Sequence, residues 1–288
     1  MRNTIEDIFC LRECNEMNRI QQHILDIFKE FKSVCEKYNL RYFAIGGTCI
    51  GAVRHQGFIP WDDDLDVAMP YEDYEQFRKI AKTELKSKYK IQDYNEIKSY
   101  TKLHLKLYDS NTTLIEKEAI GHTDRYAGIF MDIMPIYGFC SSEETSYKVL
   151  KYRAMLLMNI RIRNQLRDEN GIIKEAVWIL LCPLRTIKPF NYYSKKIEKN
   201  LSKYKFGQYN TVIFGWRNYN GRILFPYSYF GDYSLVKFED TEIRIPINYD
   251  KYLKQEFGDY LSIPPKEKRV SVHNIEILDY EKPYTSYI

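Results

Sequence analysis

The sequence predicts an α/β (α+β) architecture, a mixed sheet covered by helices with a helical C-terminal region, and three observations carry it. Apolar residues recur at steps of three and four through 16–39 and 71–88, the period of helices with one buried face. Short runs at 64–69 and 102–108 place apolar residues at every second position, the period of strands. Past Tyr137-Gly138 the pattern becomes helical over 142–167 and 172–204, with Pro183 and Pro189 as breaks.

Taken in order, the first helix carries Met17, Ile20, Ile24, Ile27, Phe28, Phe31, Val34, Cys35 and Tyr38, and Asn39 ends it. Residues 41–45 read as a strand running into Gly46-Gly47, and 48–53 as the start of a helix broken by Gly57 and Pro60. The run 64–69 alternates acidic and apolar residues, as a strand with one wet face would, and Pro70 stops it. In 102–108, Leu103, Leu105 and Leu107 face one way and Lys102, His104, Lys106 and Tyr108 the other. A turn at Asp109-Ser110-Asn111 then suggests a hairpin with 112–116. A strand at 128–134, a hairpin at 235–245 about Glu239-Asp240, a helix at 247–257 and a proline-containing loop at 263–268 complete the list. A soft boundary near 140 divides a catalytic core, 1–140, from a mostly helical acceptor- and donor-binding region, 141–288, that packs back on it.

With 44% hydrophobic and 28% charged residues the chain has ample material for a core and is not of a disordered type. A net charge of +4 with no long Lys/Arg run gives no reason to expect a nucleic-acid partner. Six cysteines without a CxxC pair or finger spacing fit a reducing cytoplasm better than a metal or disulfide framework. The first residues lack a basic region followed by an apolar stretch, and no run approaches the ~20 apolar residues that span a bilayer. The longest apolar stretch, 176–184, is read as a buried helix or as one lying at the inner membrane surface beside Arg185 and Lys188.

The chemistry concentrates at Trp61-Asp62-Asp63-Asp64-Leu65-Asp66. On a strand Asp62, Asp64 and Asp66 would share one side, and a divalent cation would relieve their repulsion. Hard oxygen ligands favour Mg2+ or Mn2+; the rival readings are an acidic turn in water and a metal-free substrate site. Gly46-Gly47-Thr48, at a strand-to-helix junction, suits a phosphate cradle, because glycines let backbone N–H groups approach an anion. Arg54 either neutralises phosphate or lies on the surface. Asp132, alone among Ile129, Phe130, Met131, Ile133 and Met134, is read as a third ligand, as a base for a hydroxyl proton, or as a structural cap. Lys106 can reach a phosphate, and Lys266, Lys268, Arg269 and His273 form either a solvated tail or a closure over a diphosphate.

The string from Gly46-Gly47-Thr48 through Pro60-Trp61-Asp62-Asp63-Asp64-Leu65-Asp66 resembles the LicD family, whose members transfer phosphocholine and related groups and to which fukutin-related protein is kin. Stretches 106–113 and 128–135, and 252–260 followed by Pro264-Pro265, Arg269 and His273, resemble the same family. The resemblance implies a nucleotidyltransferase-like fold, with metal binding on Asp64, Asp66 and Asp132 and a less defined part for Asp62. It implies a CDP-alcohol donor such as CDP-choline and an acceptor sugar hydroxyl on a cell-surface glycan, lipid-linked glycan or teichoic acid precursor. A nucleotidyltransferase using a nucleoside triphosphate and a glycosyltransferase using a nucleotide sugar are the rival chemistries.

Overall fold

The computed structural model describes residues 17–97, 100, 102–117, 126–140, 152, 189–214, 224–269, 273 and 275–287. Helix α1, Arg19–Lys37, opens with a reciprocal cap: Gln21 N–H donates to the Asn18 side chain and Asn18 N–H to the Gln21 side chain. It buries Ile24, Leu25, Ile27, Phe28, Phe31, Val34 and Cys35. Asn39, in the left-handed region at φ 51°, turns the chain out of it as expected.

Strand β1, Phe43–Ala44, leads into α2, Gly46–His55, and β2, Asp66–Pro70, into α3, Tyr71–Glu84. Then come β3, Tyr89–Gln92, β4, Leu105–Asp109, β5, Thr113–Glu116, and the long β6, Phe130–Phe139. Helix α4, Phe190–Leu201, β7, Thr211–Phe214, β8, Leu224–Pro226, the hairpin β9, Tyr233–Phe238, and β10, Thr241–Pro246, helix α5, Tyr249–Phe257, and β11, Ile275–Asp279, follow.

Seven strands form one mixed sheet in the order β1-β2-β6-β4-β3, with β7 beside the far half of β6 and β8 beside β7. Only the β2–β6 pair is parallel. Helix α1 lies against β4 and β6, and α3 against β2, β3 and β6. This mixed α+β arrangement agrees with the expected class. Described residues after 140 include five strands beside two helices, so 189–287 is less helical than the pattern suggested. Most of the candidate helices at 142–204, and the apolar stretch 176–184, lie outside the described residues. Among the described residues no helix is long and apolar enough to cross a membrane.

Two expectations fail for physical reasons. Strand β2 has no wet face: all five residues are buried, because β1 and β6 flank it and α2 and α3 pack on it. The turn at 109–112 exists, with Asn111 N–H donating to Asp109 Oδ1, yet β5 does not return along β4. Both edges of β4 are taken by β3 and β6, so β5 pairs instead with β11, forming a separate two-stranded sheet. The β9–β10 hairpin is as expected, with Glu239 at φ 53° in its turn.

Candidate functional site

Register across the central sheet builds the site. Asp66 on β2 stands opposite Asp132 on β6, and Asp132 opposite Lys106 on β4. Residues in register on adjacent strands share a face, so these three form one polar row while Val67, Ile133 and Leu107 face the other way. Asp132 Oδ2 lies 3.2 Å from His104 Nε2, and its Oδ1 3.8 Å from Lys106 Nζ. Lys106 Nζ sits 3.2 Å above the Phe130 ring and 3.9 Å from Glu116 Oε2.

Asp62 and Asp64 are not on the strand. They occupy the connection before it, half-buried, with their side chains hydrogen-bonded to each other. That connection is braced from α1, where Gln21 Nε2 donates to the carbonyls of Ile59 and Asp62 at 3.2 and 2.8 Å. Asp63 points elsewhere, its Oδ1 3.0 Å from His273 Nδ1.

Burial, then the Asp62 charge, raises the Asp64 carboxyl to about 8. Asp62 is raised to about 6, first by burial and next by the charges of Asp66 and Asp63, against the hydrogen bond from Asp64. Of the pair, Asp64 keeps its proton to the higher pH and donates it toward Asp62. Asp132 shows the opposite balance: burial disfavours its charge, but Lys106 and His104 overcome this and hold it well below the usual carboxylate range. Burial also lowers Lys106, against Asp132 and Glu116. Burial works against a charge on His273, yet Asp63 outweighs it and raises the imidazole above its ordinary value.

Gly46-Gly47-Thr48 stands at a strand-to-helix junction as expected, and the chain's own groups meet it there. Gly46, at φ 58°, gives its N–H to the Tyr252 hydroxyl at 3.0 Å, and Thr48 Oγ1 accepts from Asp66 N–H at 2.8 Å. A Cβ on Gly47 would stand 2.7 Å from Asp62 Oδ2, so the anion that closely approaches the first turn of α2 is Asp62 itself. Arg54 is buried rather than on the surface: its Nη1 donates to the carbonyls of Tyr260 and Ser262 at 2.7 and 3.2 Å, and its Nε to His55 Nε2. Arg269 stacks over Trp61 at 5.2 Å and donates Nε–H to Pro264 O. The structure thus gathers Asp62, Asp64, Asp66, Asp132, Lys106 and His273 around one region and uses Arg54 as an anchor for the 260–262 segment.

His104, Glu116, Asp63 and Gln21 were not singled out. His104 could have been found, since it shares a side with Lys106 in the 102–108 alternation. Asp63 lies in the acidic run but on the opposite side of its alternation, and Glu116 and Gln21 show no local signal.

Among the described residues no three His, Cys, Asp or Glu side chains meet as a ready-made metal site. The donor chemistry nonetheless fits a hard divalent cation. Asp132 Oδ1 is buried without a hydrogen-bond partner, and Asp62 and Asp64 share a proton that a cation can replace. A cavity of about 460 Å3 lies at the other end of α2, lined by Val53, Gln56, Val236, Tyr249, Asp250 and Tyr260 among others, and it shares no residue with the acidic segment.

Residues 39–154 match the LicD/FKTN/FKRP nucleotidyltransferase domain. The chain is 29% identical over 258 residues to the lipopolysaccharide cholinephosphotransferase LicD of Haemophilus influenzae, covering 86% of this chain and 92% of that protein. Uncharacterized proteins of Rickettsia typhi and Rickettsia prowazekii are 42% identical over 57 residues and 44% over 50, less than a fifth of their own lengths in each case. The chain thus carries a LicD/FKTN/FKRP-type domain at residues 39–154 and is similar to a LicD protein along most of its length.

Proposed function

We propose that this chain transfers a phospho-alcohol, phosphocholine before others, from a CDP-alcohol to a sugar hydroxyl of a cell-surface glycan, lipid-linked glycan or teichoic acid precursor. The acceptor oxygen forms a bond to the phosphorus that bears the alcohol, the bridging P–O bond breaks, CMP leaves, and the hydroxyl proton passes to a base or to water. The observation that carries the reading is the row Asp66–Asp132–Lys106 beside the Asp62–Asp64 pair, four carboxylates and a buried lysine on one site. The choice of phosphocholine is supported by the relative's activity on lipopolysaccharide. The reaction is placed in the cytoplasm, at or near the inner membrane face.

Phosphoryl transfer asks mainly for positioning and charge neutralisation. Asp64, Asp66 and Asp132, with Asp62 beside them, are the residues that would hold Mg2+ or Mn2+. A bound cation would supply neutralising charge at the diphosphate. Asp132, kept ionised by Lys106 and His104, suits a ligand better than a proton acceptor. Arg269, stacked on the Trp61 face at the edge of the acidic segment, would meet phosphate.

Incubation with CDP-choline, a glycan acceptor and Mg2+ tests the reading by product. Release of CMP with phosphocholine on the acceptor is expected. Pyrophosphate from CTP would favour a nucleotidyltransferase, and UDP from a UDP-sugar a glycosyltransferase.

A further inference from the structure

The acidic segment contains one carboxylate that the proposed chemistry leaves without a part. Asp63 is only 8% exposed and engages a residue 210 positions away, with Oδ1 3.0 Å from His273 Nδ1. The other imidazole nitrogen of His273 lies 3.9 Å from Glu116 Oε1, and its ring meets Phe130 edge-on at 5.6 Å. Glu116 and Phe130 are the two groups that also hold Lys106, which in turn faces Asp132. A chain of contacts therefore runs from Asp63 through His273, Glu116 and Lys106 to Asp132, joining the acidic segment to the row on the sheet.

The segment needs such a tie. Residues 60–65 belong to no helix or strand, yet they carry two carboxylates that repel each other once both are ionised. On one side Gln21 of α1 grips the backbone at Ile59 and Asp62. On the other, the C-terminal part of the chain touches the segment at two points that bracket Asp62: Arg269 over Trp61, and His273 on Asp63.

We infer that Asp63 and His273 are a positioning pair, fixing where Asp62 and Asp64 stand without themselves binding cation or donor. The pair acts through Asp62 and Asp64, so this inference rests on the proposed role of those two carboxylates. Residues that orient metal-facing carboxylates typically contribute ~10–100-fold to affinity or activity.

The experiment compares the full chain with Asp63→Ala, Asp63→Asn, His273→Ala and the double variant Asp63→Ala/His273→Ala. It reads Mn2+ affinity by direct titration, and kcat and donor KM with CDP-choline. Each alanine variant should lose about tenfold or more in Mn2+ affinity or kcat, with donor KM changed less than about twofold. The double variant should be no worse than the poorer of the two singles, because each single already removes the contact they share. Asp63→Asn should recover most of the loss, since its amide oxygen still accepts from Nδ1–H. Losses that multiply in the double variant overturn the pair. So does a donor KM that rises in His273→Ala, or an Asp63→Asn variant as poor as alanine. If the wild type binds Mn2+ in this pattern but makes no CMP, the transfer reading falls and the positioning pair stands. If it binds no Mn2+, hydrogen exchange over residues 60–65 decides: equal protection in wild type and His273→Ala overturns the pair.

Discussion

Gly47→Ala should separate folding from turnover at this site. The added Cβ would stand 2.7 Å from Asp62 Oδ2, and ordinary contact begins near 3.4 Å, so the carboxylate must retreat by about 0.7 Å. Gly47 lies in helix α2 and is not among the glycines with positive φ, so the backbone accepts alanine. Replacing a helical glycine gains ~0.5–1 kcal/mol, which offsets the displacement of one carboxylate end and leaves stability within about 1 kcal/mol of wild type. Turnover should respond differently, because a misplacement near 1 Å can cost ~10²-fold. The expected loss in CMP release is on the order of 10–100-fold, about 1.4–2.7 kcal/mol on the barrier. In an Asp62→Ala background the same substitution should add nothing. Gly51→Ala is the contrast: its Cβ would meet Gly57 O at 2.5 Å and Ile59 N at 3.2 Å, and backbone cannot swing aside. That variant should lose ~1–3 kcal/mol of stability. Thermal melting and CMP release measured on the same samples decide the matter; a Gly47→Ala enzyme with full turnover refutes the close approach of Asp62.

Stability without added metal should fall as pH rises from about 5 to 8. The folded chain keeps protons on Asp64 and Asp62, at about 8 and 6, that the unfolded chain releases near 4, and the raised His273 acts in the same direction. His23, lowered by burial, opposes this as a single group, and a melting temperature that rises over that window would contradict the assignment. Added Mg2+ should raise the melting temperature more at pH 8 than at pH 5.5, since cation and proton compete for the same oxygens; equal shifts would argue against Asp62 and Asp64 as its site. Arg54→Met should cost ~1–3 kcal/mol, chiefly through the buried Tyr260 carbonyl it leaves unpaired, with donor KM little changed; a raised KM at unchanged stability would return Arg54 to the phosphate. Lys106→Met should destabilise by ~1–3 kcal/mol, because it takes one of the two close cationic partners from half-buried Asp132 and leaves His104, and adding Asp132→Asn should recover part of that loss in a denaturant titration.

The parts legible in the sequence are those with a local period or a local cost. Helix α1 and its end at Asn39 follow from steps of three and four and one residue suited to the left-handed region. Asp132 stood out because a carboxylate inside an apolar run is expensive unless it is used, and the structure finds it half-buried beside Lys106 and His104. Lys106 was visible from the alternation of 102–108. What no period encodes is which strands meet. The expected hairpin of β4 with β5 failed because edge availability, a property of the whole sheet, decided the pairing. The same holds for Asp63 with His273, whose contact spans most of the chain.

The double glycine shows how a correct local inference can have an unexpected object. Two glycines at a helix start predict that an anion comes close, and an anion does, but it is the Asp62 side chain. The cradle and the acidic segment are thus one device. The α2 N-terminus partly offsets the charge of Asp62, Asp64 shares a proton with it, and Gln21 and His273 hold the segment from two sides. Such an arrangement is stable only while one proton, or a cation in its place, sits among the carboxylates. Under the proposed function, charge held this way would let the site take up a divalent cation and a diphosphate together, the positive and negative partners each offsetting what the other brings.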